Sequence, residues 1–411
     1  MSPRAGDSPA PPAFTVADVL RVGLPDYTRK HQLPPQQWRV LRAILACRTP
    51  ELGGHLFQCS NCSTQRFVPH SCRNRHCPTC QGANGYAWMQ TQADSLLPIP
   101  YFHVVFTLPH VLNPLIQQNQ SACYDLLFAS ASATLLEFGR HELQAQLGIS
   151  MVLHTWSQTL GPHFHVHAIV TGGGLREDGT WVGTPPHWLF PVFALSAMFR
   201  GKFCAGLRQL HLDGKLEFHG QQATHATATA FATLLQATAT KKFVVYAKRP
   251  FAGPETVLAY LARYTHRIGI TNRRIVALDA STRTVTFDYK DYADGAKHKR
   301  MTIACEEFVR RLLLHILPAR FVKLRHYGLL ANRNRHARIE QARAVLPSPP
   351  APPEPPPTAE AAADAAPVPE APLGLPVLCP HCHQPAAWIL IRQVPRPHTR
   401  PVCGVPILDS S

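Results

Sequence analysis

Three histidines alternate with apolar residues in the run His163-Phe164-His165-Val166-His167. Successive side chains of a β-strand point to opposite faces. The three imidazoles would therefore project from one face, while Phe164 and Val166 enter a core on the other. Imidazoles lined up with an apolar anchor behind them can hold a divalent metal ion over a solvent-facing groove. The competing interpretation is a polar edge strand in a chain that has 23 histidines. The strand is expected to end at Gly172-Gly173-Gly174.

A second set of chemistry-bearing residues is the pair of knuckles Cys59-x2-Cys62 and Cys77-x2-Cys80 (CSNC and CPTC). Each knuckle offers two thiolates, and the intervening loop lets the pairs converge on one tetrahedral Zn²⁺. Cys72, His70, His76 and His55 lie close enough in sequence to replace one ligand or to form a second site. Four protein thiolates leave no open coordination position, so the expected role is structural. Arg73 and Arg75 in the same loop (SCRNRHC) would put positive charge beside the metal, suited to phosphate contact. Near the C-terminus, Cys379-x2-Cys382 (CPHC) is a lone knuckle, with His381, His383, His398 and Cys403 as candidate partners.

The segment PETVLAYLARYTHRIGI begins with Pro254 and Glu255, good first-turn residues of a helix, and reaches Gly269 at its end. Tyr260 and Tyr264 are four apart, so both phenols would share one helical face. Arg263 and Arg267 add cationic heads to the same helix. Such tyrosine pairs are common in cores. Beside a metal or cation, however, a phenol is favoured as the nucleophilic phenolate.

The elements that must position these groups follow from periodicity and breakers. Val16, Val19 and Leu20 have helical spacing, in a helix that Gly23 and Pro25 should end. A second helix is expected over 35–47 and a long one over 113–138. YFHVVFTL, starting at Tyr101, reads as a strand. Strands over 151–158 and 163–170 flank the turn Thr159-Leu160-Gly161-Pro162 and so predict a hairpin. Further helices are expected over 194–210, 255–267 and 306–317, with strands at KKFVVYAK, 274–278 and 284–289. The mixture, with its hairpins, predicts an α+β fold with an antiparallel sheet. The expected domains are a disordered N-terminus over 1–14, a helical and zinc-binding domain over 15–95 and a catalytic domain over 96–346. A Pro/Ala-rich linker over 347–376 and a Cys/His-containing tail over 377–411 follow.

Composition narrows the partners. Lys and Arg outnumber Asp and Glu by 41 to 25, a net charge of +16, which favours a polyanion such as nucleic acid. No apolar run approaches the length of a membrane span, and the N-terminus lacks a signal-like core, so a cytoplasmic location is expected, where cysteines stay reduced. The segment 323–343 concentrates Arg325, Arg333, Arg335 and other basic residues around Tyr327, a pattern suited to single strands.

Taken together, SCRNRHCPTCQ (71–81), LHTWSQTLGPHFHVHAIVTGGGL (153–175), VVYAKRPFAGPETVLAYLARYTHRIGITNRRI (244–275) and FVKLRHYGLLANRNR (321–335) resemble the two-tyrosine HUH rolling-circle transposases of bacterial insertion sequences that carry an N-terminal zinc-binding domain. The resemblance implies a central antiparallel sheet of HUH-endonuclease type, with His165 and His167 as ligands of Mg²⁺ or Mn²⁺ and Tyr260 and Tyr264 as paired nucleophiles. It further implies cleavage and rejoining of single-stranded DNA at element ends and target through 5′-phosphotyrosine links. A third metal ligand is sought on the preceding strand, where Gln158 and His154 share a parity. His163 is then an outer group or a plain edge residue. Arg73, Arg75, Arg263, Arg267, Arg325, Arg333 and Arg335 are the expected DNA contacts. Two other functions fit parts of the pattern: a rolling-circle replication initiator, and a zinc-dependent DNA-binding protein without catalysis.

Overall fold

The computed structural model describes residues 12–80, 96–185, 190–248, 256–257, 268–346, 378–384 and 387–396. The expected α+β architecture is found, with three antiparallel sheets among the described residues. The largest is built on β3 (Tyr101–Thr107), β4 (Gln146–Trp156), β5 (Pro162–Leu175), β7 (Val244–Lys248) and β11 (Leu324–Gly328), in the order β11-β4-β5-β3-β7. The short β6 (Trp181–Gly183) pairs with the far end of β5. The histidine strand β5 is thus a central strand, flanked by β4 and β3. It also runs on through the three glycines to Leu175, past its expected end.

Alternation along these strands divides the sheet into two faces. Phe164, Val166, Ala168 and Val170 of β5 join Ile149, Met151 and Leu153 of β4, and Phe102, Val104 and Phe106 of β3, in one buried cluster. Helix α4 (Gln120–Glu142) covers it with Tyr124, Leu127, Phe128 and Leu135. Helix α5 (Val192–Leu212) adds Phe199 and Phe203. The expected single helix over 113–138 is split into α3 (Asn113–Gln118) and α4. The break is at Asn119, whose side-chain amide donates to the Leu115 and Glu217 carbonyls and whose oxygen accepts from the Glu217 N–H. A side chain committed to those backbone groups favours a turn over a continuous helix. Helix α6 (Ala228–Ala239) follows, with Phe231 and Leu235 in the same core.

The N-terminal helices α1 (Val16–Lys30) and α2 (Pro35–Ala46) do not form a core of their own. Val16, Val19, Leu20, Val40, Leu41 and Ile44 share a cluster with β8 (Ile275–Asp279), β9 (Thr284–Asp291) and α7 (Cys305–Leu313). β9 pairs on its other side with β10 (Lys297–Ala304). α1 starts at a capping box between Thr15 and Asp18 and continues through Gly23 and Pro25, contrary to the expected stop. Proline removes one N–H donor, and burial of Leu20 and Leu24 on α7 outweighs that loss. Gly23 is needed for the approach, since a Cβ there would lie 2.5 Å from the Cys305 carbonyl.

The third sheet joins the two ends of the chain. β1 (Gly54–Cys59) pairs with β2 (Gln65–Pro69) on one side and with β12 (Trp388–Val394) on the other. The last helix among the described residues, α8 (Arg335–Val345), packs through Ile339 and Ala342 with Tyr101 and Ile169 on the second face of the large sheet. No helix among the described residues is long and apolar enough to cross a membrane.

Phe164 is 1% exposed and backs the histidine strand directly. Phe164→Ala should lower stability by about 3–5 kcal/mol, read as a reduced urea midpoint; an unchanged midpoint would show that the strand is held by something else.

Candidate active site

The face of the large sheet opposite α4 carries the histidines. Across the β4–β5 hairpin His154 is the direct partner of His165, and Val152 that of His167. Directly opposed Cβ atoms in antiparallel strands are ~4.5–5.5 Å apart, so this register alone gathers imidazoles. Ligand-capable ring nitrogens of His154, His165 and His167 all lie within 4.8 Å of one another. His154 and His165 are buried.

Two of the rings have their orientation set by a hydrogen bond at Nδ1. His165 Nδ1 lies 3.0 Å from the His163 carbonyl, to which it can only donate, so that in the neutral ring Nε2 is the nitrogen that carries the lone pair. His167 Nδ1 shares a 2.9 Å hydrogen bond with Nε2 of His103 on β3, and the rings stack nearly parallel. The ring of His154 stacks on Trp156 at 4.7 Å between centroids. Imidazoles held by an outer partner at one nitrogen present the other to a metal, so this donor set fits a divalent cation. His103 was not singled out by its sequence. Its place on β3, on the face of His167 and two pairs along, is the signal that strand pairing supplies. His163 pairs instead with His110, at 3.0 Å, and burial holds its pKa below the usual imidazole range.

Gln158 does not share the parity expected of it. β4 ends at Trp156 after an irregularity beyond His154, and Gln158 sits in the turn that follows. Three consecutive carbonyls of that turn are gripped from the C-terminal half of the chain. Arg274 donates to Gln158, Arg311 to Thr159 at 2.9 Å and His315 to Leu160 at 2.9 Å. His315 also accepts from the Thr155 hydroxyl, beside His154. Its ring is fully buried, which pushes its pKa down to about 4.

Tyr260, Tyr264, Arg263 and Arg267 lie outside the described residues. Their flanks are described. Val257 is fully buried in the cluster with Tyr101, Ile169 and Leu330, on the histidine face of the sheet. Ile268 and Gly269 line a cavity with Trp156, the stacking partner of His154.

The cysteines form two groups, which corrects the expected single site. Cys77 and Cys80 gather with Cys47 and Cys72, whereas Cys59 and Cys62 gather with Cys379 and Cys382. Cys59 and Cys62 stand at the tip of the β1–β2 hairpin. The five residues of β2 then carry the chain roughly 16 Å back, to where Cys47 closes α2. Sulfur–sulfur separations are 3.3 Å for Cys47–Cys80 and 3.5 Å for Cys72–Cys80, near the ~3.8 Å edge of a tetrahedron with 2.3 Å Zn–S bonds.

Two of the expected DNA contacts are instead used within the protein. Arg75 donates to the Phe321 and Pro318 carbonyls, and His76 Nε2 accepts from the Leu317 N–H, docking the cysteine loop on residues 317–321. Arg325 pairs with Asp125 and lies over Phe128 and Phe321. Burial lowers the pKa of Arg335. Arg73 and Arg333 are exposed.

A cysteine-rich module thus stands ahead of an antiparallel sheet with clustered histidines, and comparison with known proteins places the chain among DNA transposases. Residues 148–338 match the family model described as "Putative transposase", and residues 19–108 match the one described as "Transposase zinc-binding domain". The chain is 42% identical over 336 residues to "Putative transposase y4qJ" of Sinorhizobium fredii, covering 80% of this chain and 84% of that protein. It is 28% identical over 301 residues to the "Transposase for insertion sequence element IS801" of Pseudomonas savastanoi pv. phaseolicola, covering 71% and 69%. The solved conjugative relaxase TrwC in complex with oriT DNA aligns over 41% of this chain and 71% of its own, at a TM-score of 0.23 and 16% identity, too slight to carry an inference. The chain belongs to the two-tyrosine HUH transposases of bacterial insertion sequences, with an N-terminal transposase zinc-binding domain.

The neutral, buried His315 makes stability depend on pH. With a folded pKa of about 4 against an ordinary value near 6.5, its contribution is complete above pH 6.5. It is lost as pH falls from 6.5 to 4, because only the unfolded chain takes up the proton, for a total of about 3 kcal/mol. His315→Gln should reduce the slope in that window in urea unfolding at a series of pH values, with His76 and His326, also held neutral by burial, keeping the remainder; equal slopes in parent and variant would remove His315 as a cause.

Proposed function

We propose that this transposase cleaves and rejoins single-stranded DNA through Tyr260 and Tyr264, at a divalent-cation site made by His154, His165 and His167. The observation that carries the reading is the three-imidazole cluster on a sheet face where both described flanks of the tyrosine segment also pack. The chemistry a Mg²⁺ or Mn²⁺ ion supplies when bound there is polarisation of the scissile phosphate.

The residues of the chain do the rest. A tyrosine phenolate oxygen forms a bond to phosphorus as the P–O3′ bond breaks, giving a 5′-phosphotyrosine link and a 3′-hydroxyl that takes up the proton. One phosphoester replaces another, so attack by a 3′-hydroxyl reverses the step and joins strands. A second tyrosine allows a further cleavage while the first remains esterified. His103 and the His163 carbonyl position the imidazoles by holding Nδ1 of His167 and of His165. The DNA partners are single strands at the ends of an insertion sequence and at its target, drawn by the charge of +16. Exposed Arg73 and Arg333, with Arg263 and Arg267, are the phosphate contacts in this reading. Cys47, Cys72, Cys77 and Cys80 hold a structural zinc ion that shapes the module docked on residues 317–321.

Incubation with single-stranded DNA from an element end and Mn²⁺ should yield a protein–DNA adduct that survives denaturation. Tyr260→Phe combined with Tyr264→Phe should abolish it, as should His165→Ala combined with His167→Ala, with DNA binding retained. Adduct at the parent level in the double tyrosine variant would refute the nucleophile assignment; intact binding without adduct in the parent would favour the non-catalytic DNA-binding reading. Because outer-sphere partners are worth roughly 10–100-fold in metal affinity, His103→Leu should raise the Mn²⁺ concentration needed for half-maximal adduct by that factor. An unshifted Mn²⁺ titration would assign His103 to packing alone.

A further inference from the structure

The C-terminal knuckle is more than a tail. Cys59, Cys62, Cys379 and Cys382 bring four sulfurs within 4.8 Å of one another, with Cys62 and Cys379 at 3.7 Å although they stand 317 residues apart. The two halves of this group have the same backbone. In the first, the Cys59 N–H donates to the Thr64 carbonyl at 2.9 Å, the Ser63 N–H donates to the Cys59 carbonyl at 3.1 Å, and Ser63 has φ 60°. In the second, the Cys379 N–H donates to the Gln384 carbonyl at 3.0 Å, the His383 N–H donates to the Cys379 carbonyl at 2.9 Å, and His383 has φ 57°. Both are tight loops with two cysteines at x2 spacing and a left-handed residue just after the second. His383 takes that turn position with its side chain exposed, which leaves the ligand set all-cysteine. Strand β12 then pairs with β1, Trp388 opposite Cys59, so the sheet delivers one knuckle to the other.

The geometry points to a second tetrathiolate zinc site, formed by Cys59 and Cys62 with Cys379 and Cys382, that clasps the C-terminal segment onto the N-terminal module. Four soft thiolates in a tetrahedral group select Zn²⁺ and leave no position open for catalysis. Cys379 and Cys382 lie beyond both matched transposase segments, whereas Cys59 and Cys62 lie within the zinc-binding one; none of the four belongs to the histidine cluster or the tyrosine pair, so the clasp does not rest on the strand-transfer reading. Its effect is to cover the edge of β1, whose unpaired backbone groups would otherwise be open to another strand.

Native mass spectrometry and elemental analysis of the full chain should give two zinc ions per chain. Cys379→Ser with Cys382→Ser should leave one, Cys59→Ser with Cys62→Ser should also leave one, and the fourfold variant should again leave one, since both pairs serve the same ion. One zinc in the parent, two in either double variant, or a parent mass two hydrogens short from a Cys–Cys disulfide would overturn the clasp. A measurement on the parent alone removes any dependence on how the variants fold. Thiol alkylation mapped by mass spectrometry should spare these four cysteines until a chelator removes zinc, then label all four together. Labelling of Cys379 and Cys382 while both zinc ions remain bound would overturn it equally.

Discussion

Cross-strand registry between β4 and β5 is the constraint on which the rest of the site depends. His154 opposes His165 only in the observed pairing, and a slip of β5 by one residue would send His165 and His167 to the helix-covered face. The pairing is secured from both sides. Phe164, Val166 and Leu153 bury it against α4, and the turn that joins the strands has three successive carbonyls held by Arg274, Arg311 and His315. Those three side chains come from β9's neighbourhood and from α7 and its end, far along the chain. The hairpin is therefore locked by long-range contacts rather than by turn chemistry alone.

The same region couples the cysteine module to the sheet. α1 and α2 share a core with β8, β9 and α7, and the loop of Arg75 and His76 is bonded to residues 317–321. His76 is kept neutral by burial, with Arg75 and Lys323 adding to the effect, and a neutral ring is what its acceptor role toward Leu317 requires. Loss of the structural metal would thus be felt at α7 and, through His315 and Arg311, at the turn of the histidine hairpin. In this fold the cysteine module is a support of the sheet that carries the histidine cluster.

Much of this was readable from residue spacing. Period-two alternation marks β5 and its histidine face, the YFHVVFTL strand is β3, and the amphipathic spacing of residues 35–47 is α2. The structure departs from these expectations where a local rule meets a tertiary force. Pro25 was expected to end α1, yet packing on α7 carried the helix through. Asn119 broke an apparently continuous helix because its amide found partners 98 residues away. Arg75 and Arg325 looked like phosphate ligands by charge, and both are spent on carbonyls, a carboxylate or aromatic rings of the protein itself.

By itself the sequence determined the chemistry available: alternating imidazoles, paired phenols, knuckles of thiols and a surplus of positive charge, since residue type and local period depend on the chain alone. Which groups meet was decided by tertiary structure. His103 reaches His167 through strand pairing, His154 rather than Gln158 closes the imidazole cluster because β4 ends at Trp156, and Cys59 and Cys62 find Cys379 and Cys382 because β12 pairs with β1. The physical reason is that ligand sets are assembled by contacts between residues remote in sequence, and spacing within a motif carries no information about them.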